Sequence, residues 1–408
     1  MAAQPGLLAA LALALAFGGD ALADERGPWL GSWYAAPQPA WDSSFVLPMN
    51  VPAQLAHQTV RETVRISAGG HRIRLVFSNR YGREALTLGS VKVAPAGDAS
   101  RAQALSFSGK PTAMIPPGAA VTSDPVALEV RPLERLTVTS YLPLPTRVMS
   151  FHWGGQQTFE LVSTRTGAAA SARAGGRLFL SAVLVEAAPG GRTVVALGDS
   201  ITDGNGSTPD TDRRWPDFLA QRLAPHGIAV ANAGISGARL LKDGMGQNAL
   251  ARFEHDVLGQ PGVSDVIVLL GINDIGWPGS PFAPREDAVT LEELQAGFRQ
   301  LAAAAHVRGM RVTVGTLPPF EGALEGTPFA GHYSAAKERM RQQLNGWLRT
   351  AGLFDAVVDF DAVLRDPRRP QRMRAEFDSG DHLHPGDAGY QAMAAAIDLA
   401  PMLKDGQQ

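Results

Sequence analysis

Short apolar runs alternate with amphipathic helical segments throughout the second half of the chain. The apolar runs are Val194–Leu197, Val266–Leu270, Val312–Val314 and Val357–Phe360. Within Thr290–His306, apolar residues recur at spacings of three and four, as on one face of a helix. Buried strands separated by helices are typical of a parallel sheet covered on both faces. We therefore predict an α/β fold for this half, with ligands bound at the carboxyl ends of its strands.

The first half of the chain, Trp29–Glu186, has the pattern of β-structure. Apolar residues alternate with arginines over Arg72–Phe77, as in a half-buried strand. We predict that Val60–Ile66 forms its hairpin partner, with Gly69–Gly70 as the turn. Many short strands without a strong helical pattern favour a β-sandwich or jelly roll. Further predicted strands are Ser90–Ala94, Leu136–Leu142 and Leu178–Val185.

A short segment rich in alanine and glycine, Ala187–Gly191, separates the two halves. The chain of 408 residues is long enough for two domains. We predict an N-terminal β-sandwich domain over 24–186, a linker over 187–192 and an α/β domain over 193–405.

Composition excludes several classes of function. The chain has no cysteine, which excludes disulfides, thiolate metal sites, a cysteine nucleophile and a lipoprotein anchor. The net charge of −2 provides no general attraction to nucleic acid or to anionic membranes.

The N-terminus has the features of an export signal. Leu7–Phe17 is an apolar run, and Ala21-Leu22-Ala23 fits the rule for cleavage between small residues. The run is too short to span a bilayer. However, residues 1–6 contain no lysine or arginine, so an apolar N-terminus that is not a signal is the alternative. We predict a signal peptide over 1–23 and a secreted or periplasmic protein without a transmembrane anchor.

The second half also contains the residue types needed for acyl transfer by a serine. Ser200 follows the first apolar run, and a serine hydroxyl becomes a useful nucleophile when a base accepts its proton. His384 is the candidate base, and Asp381 is placed to orient its ring. The backbone N–H of Gly237 and the side-chain amide of Asn273 are candidate donors to an oxyanion.

Each of these signals has a structural alternative when taken alone. Ser200 could cap a helix, Asn273 could form a turn, and Gly237 could serve only the backbone conformation. His382 is a rival base that we expect to point elsewhere, and Asp378 is a rival orienting acid. The interpretation therefore depends on the combination and the order of the motifs.

Together, four motifs make the chain similar to the GDSL, or SGNH, hydrolase family. The resemblance covers about Thr193 to Leu403, with isoleucine where the family name has leucine. Gly234 is the less favoured alternative to Gly237 as the glycine donor. The motifs are Gly198-Asp199-Ser200-Ile201, Asn232-Ala233-Gly234-Ile235-Ser236-Gly237, Gly271-Ile272-Asn273-Asp274 and Asp381-His382-Leu383-His384-Pro385.

The resemblance implies specific roles. It places the family's nucleophile on Ser200, its acid and base on Asp381 and His384, and its oxyanion donors on Gly237 and Asn273. It implies a three-layer α/β/α sandwich with a parallel sheet of roughly five strands, and no metal or cofactor. The first half resembles an exported bacterial branch of the family, described as arylesterase-like or acylhydrolase, in which a β-sandwich precedes the hydrolase. That likeness is carried by Gly31-Ser32-Trp33, Thr59–Ser67 and Leu75–Gly82.

Two other hydrolase classes fit less well. The nucleophile elbow of α/β-hydrolases, G-x-S-x-G, is not met because position 202 is threonine. A metallophosphoesterase would need histidine ligands near its acidic turns, and His226 and His255 lie outside them. From another class, the chain could be a glycan-binding protein on a hydrolase scaffold. Candidate sugar-stacking residues are Trp33, Trp41 and Trp153, although core or interface positions would also explain them.

The sequence thus predicts an exported serine carboxylic-ester hydrolase. Trp277, after the Asn273 turn, and Phe320, after the next strand, are predicted to wall the substrate pocket and to favour short acyl groups such as acetyl. The alternative is that both segments only stiffen loops. Polysaccharide esters are the favoured substrates, with small aryl esters and lipids as alternatives.

Overall fold

The computed structural model describes residues 29–163, 170–186 and 189–404. The predicted signal sequence, residues 1–23, lies outside the described residues. The part before residue 187 consists mostly of strands. Its described strands are β1 (Trp29–Tyr34), β2 (Gln38–Pro39), β3 (Gln54–Leu55), β4 (Gln58–Arg65), β5 (Gly70–Ser78), β6 (Leu86–Leu88), β7 (Val91–Pro95), β8 (Gln103–Ala104), β9 (Ala113–Ile115), β10 (Ala120–Thr122), β11 (Val126–Val130), β12 (Arg135–Leu142), β13 (Thr146–Arg147), β14 (Ser150–His152), β15 (Thr158–Ser163), β16 (Ala170–Gly175), β17 (Arg177–Leu178) and β18 (Leu180–Glu186).

Most of these strands belong to two antiparallel sheets. One has the order β1-β18-β5-β10, with β11 also paired to β5, and the other has the order β16-β15-β4-β12-β7-β8. Ile73, Leu75 and Phe77 of β5 are buried, as are Val60 and Val64 of β4. All five belong to one hydrophobic core. The alternation read from the sequence is therefore confirmed, because every second side chain of these strands is buried in this core.

The predicted hairpin between β4 and β5 is wrong. β4 pairs with β12 and β15, whereas β5 pairs with β18, β10 and β11. After β4 the chain crosses to the other sheet, and the N–H of Ile66 donates to the carbonyl of Glu134. Gly69 lies in this crossing, where a Cβ would come within 2.5 Å of the Val130 carbonyl oxygen. Alternation identified the strands, but it carries no information about which strands pair.

The part after residue 189 contains helices and a parallel sheet. The helices are α1 (Ser200–Asp203), α2 (Trp215–Leu223), α3 (Ala249–Phe253), α4 (Ile272–Gly276), α5 (Leu291–Val307), α6 (Ala335–Thr350), α7 (Phe360–Leu364), α8 (Asp387–Ala396) and α9 (Ala400–Leu403). The strands are β19 (Arg192–Gly198), β20 (Ile228–Gly234), β21 (Val263–Leu269), β22 (Arg311–Gly315), β23 (Ala356–Val358), β24 (Arg365–Asp366) and β25 (Arg369–Met373).

The order of the parallel sheet determines where a site can form. Its five strands have the order β20-β19-β21-β22-β23, and all neighbours are parallel. The chain leaves β19 for β20 on one side and then returns to β21 on the other side. Such a reversal opens a crevice at the carboxyl ends of the strands. The predicted parallel sheet is confirmed, and the motifs of Ser200, Gly237 and Asn273 follow β19, β20 and β21.

The helices pack their apolar faces into the core of this sheet. α5 begins with a capping box in which the Thr290 and Glu293 side chains bond each other's backbone N–H. Its buried residues Leu294, Phe298 and Leu301 join the core that contains the strands. Within the described residues, none of the helices combines the length and the apolar character needed to cross a membrane.

Buried hydrogen bonds connect the strand-rich part with the parallel-sheet part. The hydroxyl of Tyr34 donates to Asp256 Oδ1 at 2.7 Å. The side-chain amide of Gln38 donates to the Met245 carbonyl oxygen at 2.9 Å. The β-rich region therefore lies directly against the loops that follow the parallel strands.

Candidate active site

Ser200, His384 and Asp381 form a continuous hydrogen-bonded chain. Ser200 Oγ lies 2.8 Å from His384 Nε2, and His384 Nδ1 lies 2.6 Å from Asp381 Oδ2. Ser200 is 5% exposed and His384 is 7% exposed, so the contact is almost closed to bulk water. A serine, an imidazole and a carboxylate in this order can transfer a proton from the hydroxyl to the ring. The expected proximity of the three residues is confirmed.

Local structure explains how each group is held. β19 ends at Gly198, and Asp199 caps helix α1 by accepting the Ile201 N–H at 2.9 Å. This cap places Ser200 in the first turn of a helix, directly above the end of a central strand. Asp199 therefore holds the turn.

The Asp381 carboxylate is held by the backbone of its own loop. Asp381 Oδ1 accepts the N–H groups of Leu383 and His384 at 2.9 and 2.8 Å. Burial alone would raise the pKa of Asp381, but the hydrogen bonds and charge of His384 outweigh burial and hold this pKa well below its usual range. The carboxylate is therefore ionised and can accept the Nδ1 proton of the ring.

A second aspartate–histidine pair lies one turn away and does not touch Ser200. Asp378 Oδ2 lies 2.5 Å from His382 Nδ1, and Asp378 Oδ1 accepts the His382 N–H. The φ angle of His382 is +59°, so the backbone itself turns the His382 ring away from the ring of His384. Asp378 thus orients His382, and Asp381 alone orients His384.

The two candidate oxyanion donors lie on neighbouring segments, Gly237 in the loop after β20 and Asn273 in helix α4. Gly237 has a φ of +72°, and a Cβ there would lie 2.5 Å from Met245 Sδ, so both conformation and space require glycine. The Asn273 side-chain amide donates one hydrogen to the Ala238 carbonyl at 3.0 Å, and an amide of this kind carries a second hydrogen that this bond does not use. Gly234 is unsuited to this role because its N–H already donates to Asn232 Oδ1 at 2.9 Å.

Asp274 fixes the position of helix α4 relative to the loop of Gly237. Its carboxylate accepts the backbone N–H groups of Leu240 and Leu241 at 2.7 and 3.0 Å. Helix α4, which carries Asn273, is therefore tied to the loop that carries Gly237. Burial raises the pKa of Asp274 to about 6 despite these hydrogen bonds.

Trp277 and Phe320 are both interior side chains, 2% and 1% exposed. Trp277 lies beside the oxyanion loop, since a Cβ on Gly237 would be 2.9 Å from Trp277 Cζ2. Phe320 packs edge-on against Tyr333, with ring centroids 5.1 Å apart. Their role as walls of a substrate pocket stays a prediction.

Comparison with known proteins gives the family. The family model described as GDSL-like Lipase/Acylhydrolase matches residues 194–397, which is half of the chain. The chain belongs to the GDSL lipase/acylhydrolase family. The match includes all four motifs and the parallel sheet except the first two residues of β19. No curated protein matches the chain.

Solved structures similar to this GDSL hydrolase cover about half of it. A GDSL-like lipase from Bacteroides thetaiotaomicron is 20% identical and covers 50% of this chain and 85% of its own, with a TM-score of 0.37. A carbohydrate acetylesterase from Sinorhizobium meliloti is 20% identical, with coverages of 50% and 96% and a TM-score of 0.38. An acetyl-xylooligosaccharide esterase from Geobacillus is 26% identical, with coverages of 50% and 91% and a TM-score of 0.35.

Sequence reasoning missed a buried arginine beneath the site of this GDSL hydrolase. Arg252 is 1% exposed, and its guanidinium donates to the carbonyls of Gly198 and Ala233 at 3.0 and 2.7 Å. It also pairs with Asp256 at 2.7 Å. Arg252 therefore holds together the carboxyl ends of β19 and β20. An arginine normally indicates solvent exposure, so the sequence carried no signal for this buried contact.

The structure also shows where the other candidate residues from the sequence lie. His255 hydrogen-bonds Asp256, and the described residues contain no cluster of three or more His, Asp or Glu side chains placed to hold a metal ion. Trp33 is 5% exposed, too little to stack on a sugar ring. Trp41 and Trp153 are half-buried, with ring centroids 6.3 Å apart, in an aromatic cluster that includes Trp277.

Asp199 also makes the stability of this GDSL hydrolase depend on pH. Burial raises its pKa to about 7, and its Oδ2 has no hydrogen-bond partner among the described residues. The folded protein thus binds this proton more tightly than the unfolded chain does. The contribution of protonated Asp199 to the free energy of unfolding is complete below pH 4. It is lost as pH rises toward 7 and the buried carboxyl ionises.

We therefore expect Asp199→Asn to flatten this dependence. The free energy of unfolding at pH 8 should rise by on the order of 3 kcal/mol relative to the wild type, because no charge is buried. At pH 4 the two proteins should differ much less. Urea denaturation at pH 4 and pH 8 measures the effect. An equal change in the free energy of unfolding at the two pH values would contradict the prediction.

Proposed function

We propose that this chain is an exported serine carboxylic-ester hydrolase that forms an acyl-enzyme. The proposal is carried by the 2.8 Å contact between Ser200 Oγ and His384 Nε2, backed by Asp381. Membership in a family of acylhydrolases supports the same reaction class.

In the proposed mechanism Ser200 Oγ attacks the ester carbonyl while His384 accepts its proton. The ionised Asp381 stabilises the imidazolium that forms. The N–H groups of Ser200, Gly237 and Asn273 stabilise the oxyanion of the tetrahedral intermediate, and one such donor is typically worth about 100- to 1000-fold in rate. His384 then protonates the leaving alcohol, and afterwards activates the water that releases the acid.

A short acyl group is favoured by the packing beside the oxyanion loop. The ring of Trp277 lies against the backbone there, since a Cβ on Gly244 would be 2.6 Å from its Cζ3. Met245 packs against the same loop at Gly237. Little room therefore remains for the acyl group of the substrate ester beside this loop, which favours acetyl esters. We propose acetylated polysaccharides as the substrates. Phe320 is proposed as the second wall.

The proposal extends to the organisation of the whole chain. It includes a signal peptide over 1–23, a jelly-roll-like β-sandwich domain over 24–186, and a hydrolase domain over 193–405 with helices on both faces of the sheet. Secretion or export to the periplasm is tested by sequencing the N-terminus of the exported protein, which should begin at Asp24. Retention of residues 1–23 on exported protein would contradict the signal peptide.

A series of nitrophenyl esters of increasing acyl length tests the substrate class. We expect kcat/KM to be highest for acetate and to fall at least about tenfold by octanoate, because the longer chain must displace buried side chains. Acetate release from acetylated xylan, pectin and peptidoglycan should be measured in parallel. A maximum at octanoate would favour the lipase alternative, and absence of acetate release would contradict the polysaccharide substrates.

A further inference from the structure

His152 extends from the β-rich region into the loops of the hydrolase part. It ends strand β14, is 4% exposed, and donates Nδ1–H to the Ala36 carbonyl at 2.9 Å. Its Nε2 lies 3.0 Å from Asp203 Oδ1. Gly154 follows with a φ of +82°, and a Cβ there would lie 3.3 Å from Asp203 Oδ2. The His152 ring is thus held at both nitrogens. The backbone at Gly154 passes close to the Asp203 carboxylate.

Asp203 connects this histidine with the loop of the oxyanion glycine. It is the last residue of helix α1, which begins at Ser200, and it is 1% exposed. Its Oδ2 accepts the Ser236 hydroxyl at 2.7 Å, and Ser236 directly precedes Gly237. Burial would raise the pKa of Asp203, but the charge and hydrogen bond of His152 and the Ser236 hydroxyl outweigh it and lower this pKa. The buried Asp203 carboxylate therefore bonds the β-rich region through one oxygen and the loop of Gly237 through the other.

We propose that His152 is a positioning residue for the oxyanion hole, acting through Asp203 and Ser236. The inference rests on the proposed function, since it assigns a role to that same site. It gives the β-rich region a supporting role in the proposed site, because the described side chain at Asp203 Oδ1 is His152 of that region.

The physical reason is the cost of an unpaired buried carboxylate. Without the His152 donor, Asp203 must draw in water or turn, and either movement shifts the hydroxyl of Ser236 and the N–H of Gly237. Catalysis depends steeply on such placement, since a misplacement of about 1 Å can cost about 100-fold in rate. The loss falls on kcat more than on KM, because the oxyanion forms only in the transition state.

Two substitutions of His152 separate its two hydrogen bonds. In His152→Gln the side-chain amide nitrogen lies near the position of Nε2 and can still donate to Asp203. In His152→Asn it lies near the position of Nδ1 and reaches only the Ala36 carbonyl. We expect His152→Asn to lower kcat by about 10- to 100-fold with KM within about threefold, and His152→Gln to stay within about fivefold of the wild type.

Thr193→Val is the matched control for general loosening between the two parts. Thr193 Oγ1 accepts the Gly31 N–H at 3.2 Å, at the amino end of β19 and away from the site. This isosteric change removes a buried contact between the parts, and kcat should stay within about twofold. An equal fall in kcat for Thr193→Val and His152→Asn would overturn the inference, as would equal values for His152→Gln and His152→Asn.

Ser236→Ala cuts the same connection inside the hydrolase part and should lower kcat by about tenfold. An unchanged kcat would exclude the route through Ser236.

Thermal melting of every variant reports folding separately from kcat. Labelling of the wild type at Ser200 by a fluorophosphonate decides the proposed function on its own. If the wild type is labelled and active but His152→Asn and His152→Gln behave alike, only the role of His152 is overturned. If the wild type is neither labelled nor active, the proposed function is overturned as well.

Discussion

Ser200→Ala should lower kcat for a short aryl ester by on the order of 10⁴- to 10⁶-fold while leaving the fold intact. Among the described residues, the Ser200 hydroxyl is the nucleophile that His384 Nε2 contacts, at 2.8 Å. Alanine at this position would leave the oxyanion donors in place but no hydroxyl to attack the ester carbonyl. The helix should persist because its cap comes from Asp199 and not from Ser200. Hydrolysis rates, fluorophosphonate labelling and thermal melting together measure the result.

Ser207→Ala is the matched control for this substitution. Ser207 is 4% exposed and donates its hydroxyl to the Gly204 carbonyl at 2.7 Å, in the loop after helix α1. Its loss should cost about 1 kcal/mol of stability and leave most of the turnover. Substantial hydrolysis by Ser200→Ala would refute the assigned nucleophile. Equal losses in the two variants would indicate a damaged loop.

Asp381→Asn is expected to reduce kcat by on the order of 10⁴-fold. The ionised carboxylate accepts Nδ1–H of His384 at 2.6 Å, which leaves Nε2 free to accept the proton of Ser200. An asparagine amide can instead donate to Nδ1, which places the ring proton on Nε2 and disables the base. The backbone bonds to Oδ1 from Leu383 and His384 can survive in the variant, so the loop should keep its shape.

The neighbouring pair provides the control for that prediction. Asp378→Asn removes the same charge from the same loop, but Asp378 contacts His382 and not His384. We expect kcat within about threefold of the wild type. If Asp378→Asn were as severe as Asp381→Asn, the orienting role would belong to the loop as a whole or to Asp378. A steady-state comparison of the two variants at pH 8 distinguishes these outcomes.

The parts of the fold that were predicted correctly are those that depend on local patterns. The apolar runs identified strands β19, β21, β22 and β23, and the threefold and fourfold spacing identified α5. β20 was not recognised, because its sequence, Ile228–Gly234, is short of large apolar residues and contains Asn232. Its small side chains are buried all the same, since the β-rich region packs against it.

Pairing between distant segments was the main failure. The alternation in β4 and β5 was correct, yet their predicted hairpin is wrong because each strand pairs in a different sheet. The free energy that decides between partners comes from whole faces packing together, and no local pattern records that choice.

For the candidate site, the motifs were sufficient to propose Ser200, His384 and Asp381 as one group, and the structure brings the three side chains into contact. They did not distinguish the two aspartates on physical grounds, and the left-handed backbone at His382 decided which ring each one holds. The partnership of His152 with Asp203 was also invisible, since a single histidine beside two glycines in a β-rich segment is typical of many loops.

By itself the sequence determined the family, the groups available for the proposed chemistry and the parallel-sheet class of the second half. A hydroxyl, an imidazole, a carboxylate and two amide donors are properties of residue types, and the rhythm of apolar residues follows directly from helix and strand geometry. Only the tertiary structure decided which groups meet. The order of the parallel strands brings three loops to one crevice, and the contact between the two regions places His152 against Asp203. These choices depend on burial summed over the whole molecule, which no short stretch of the chain contains.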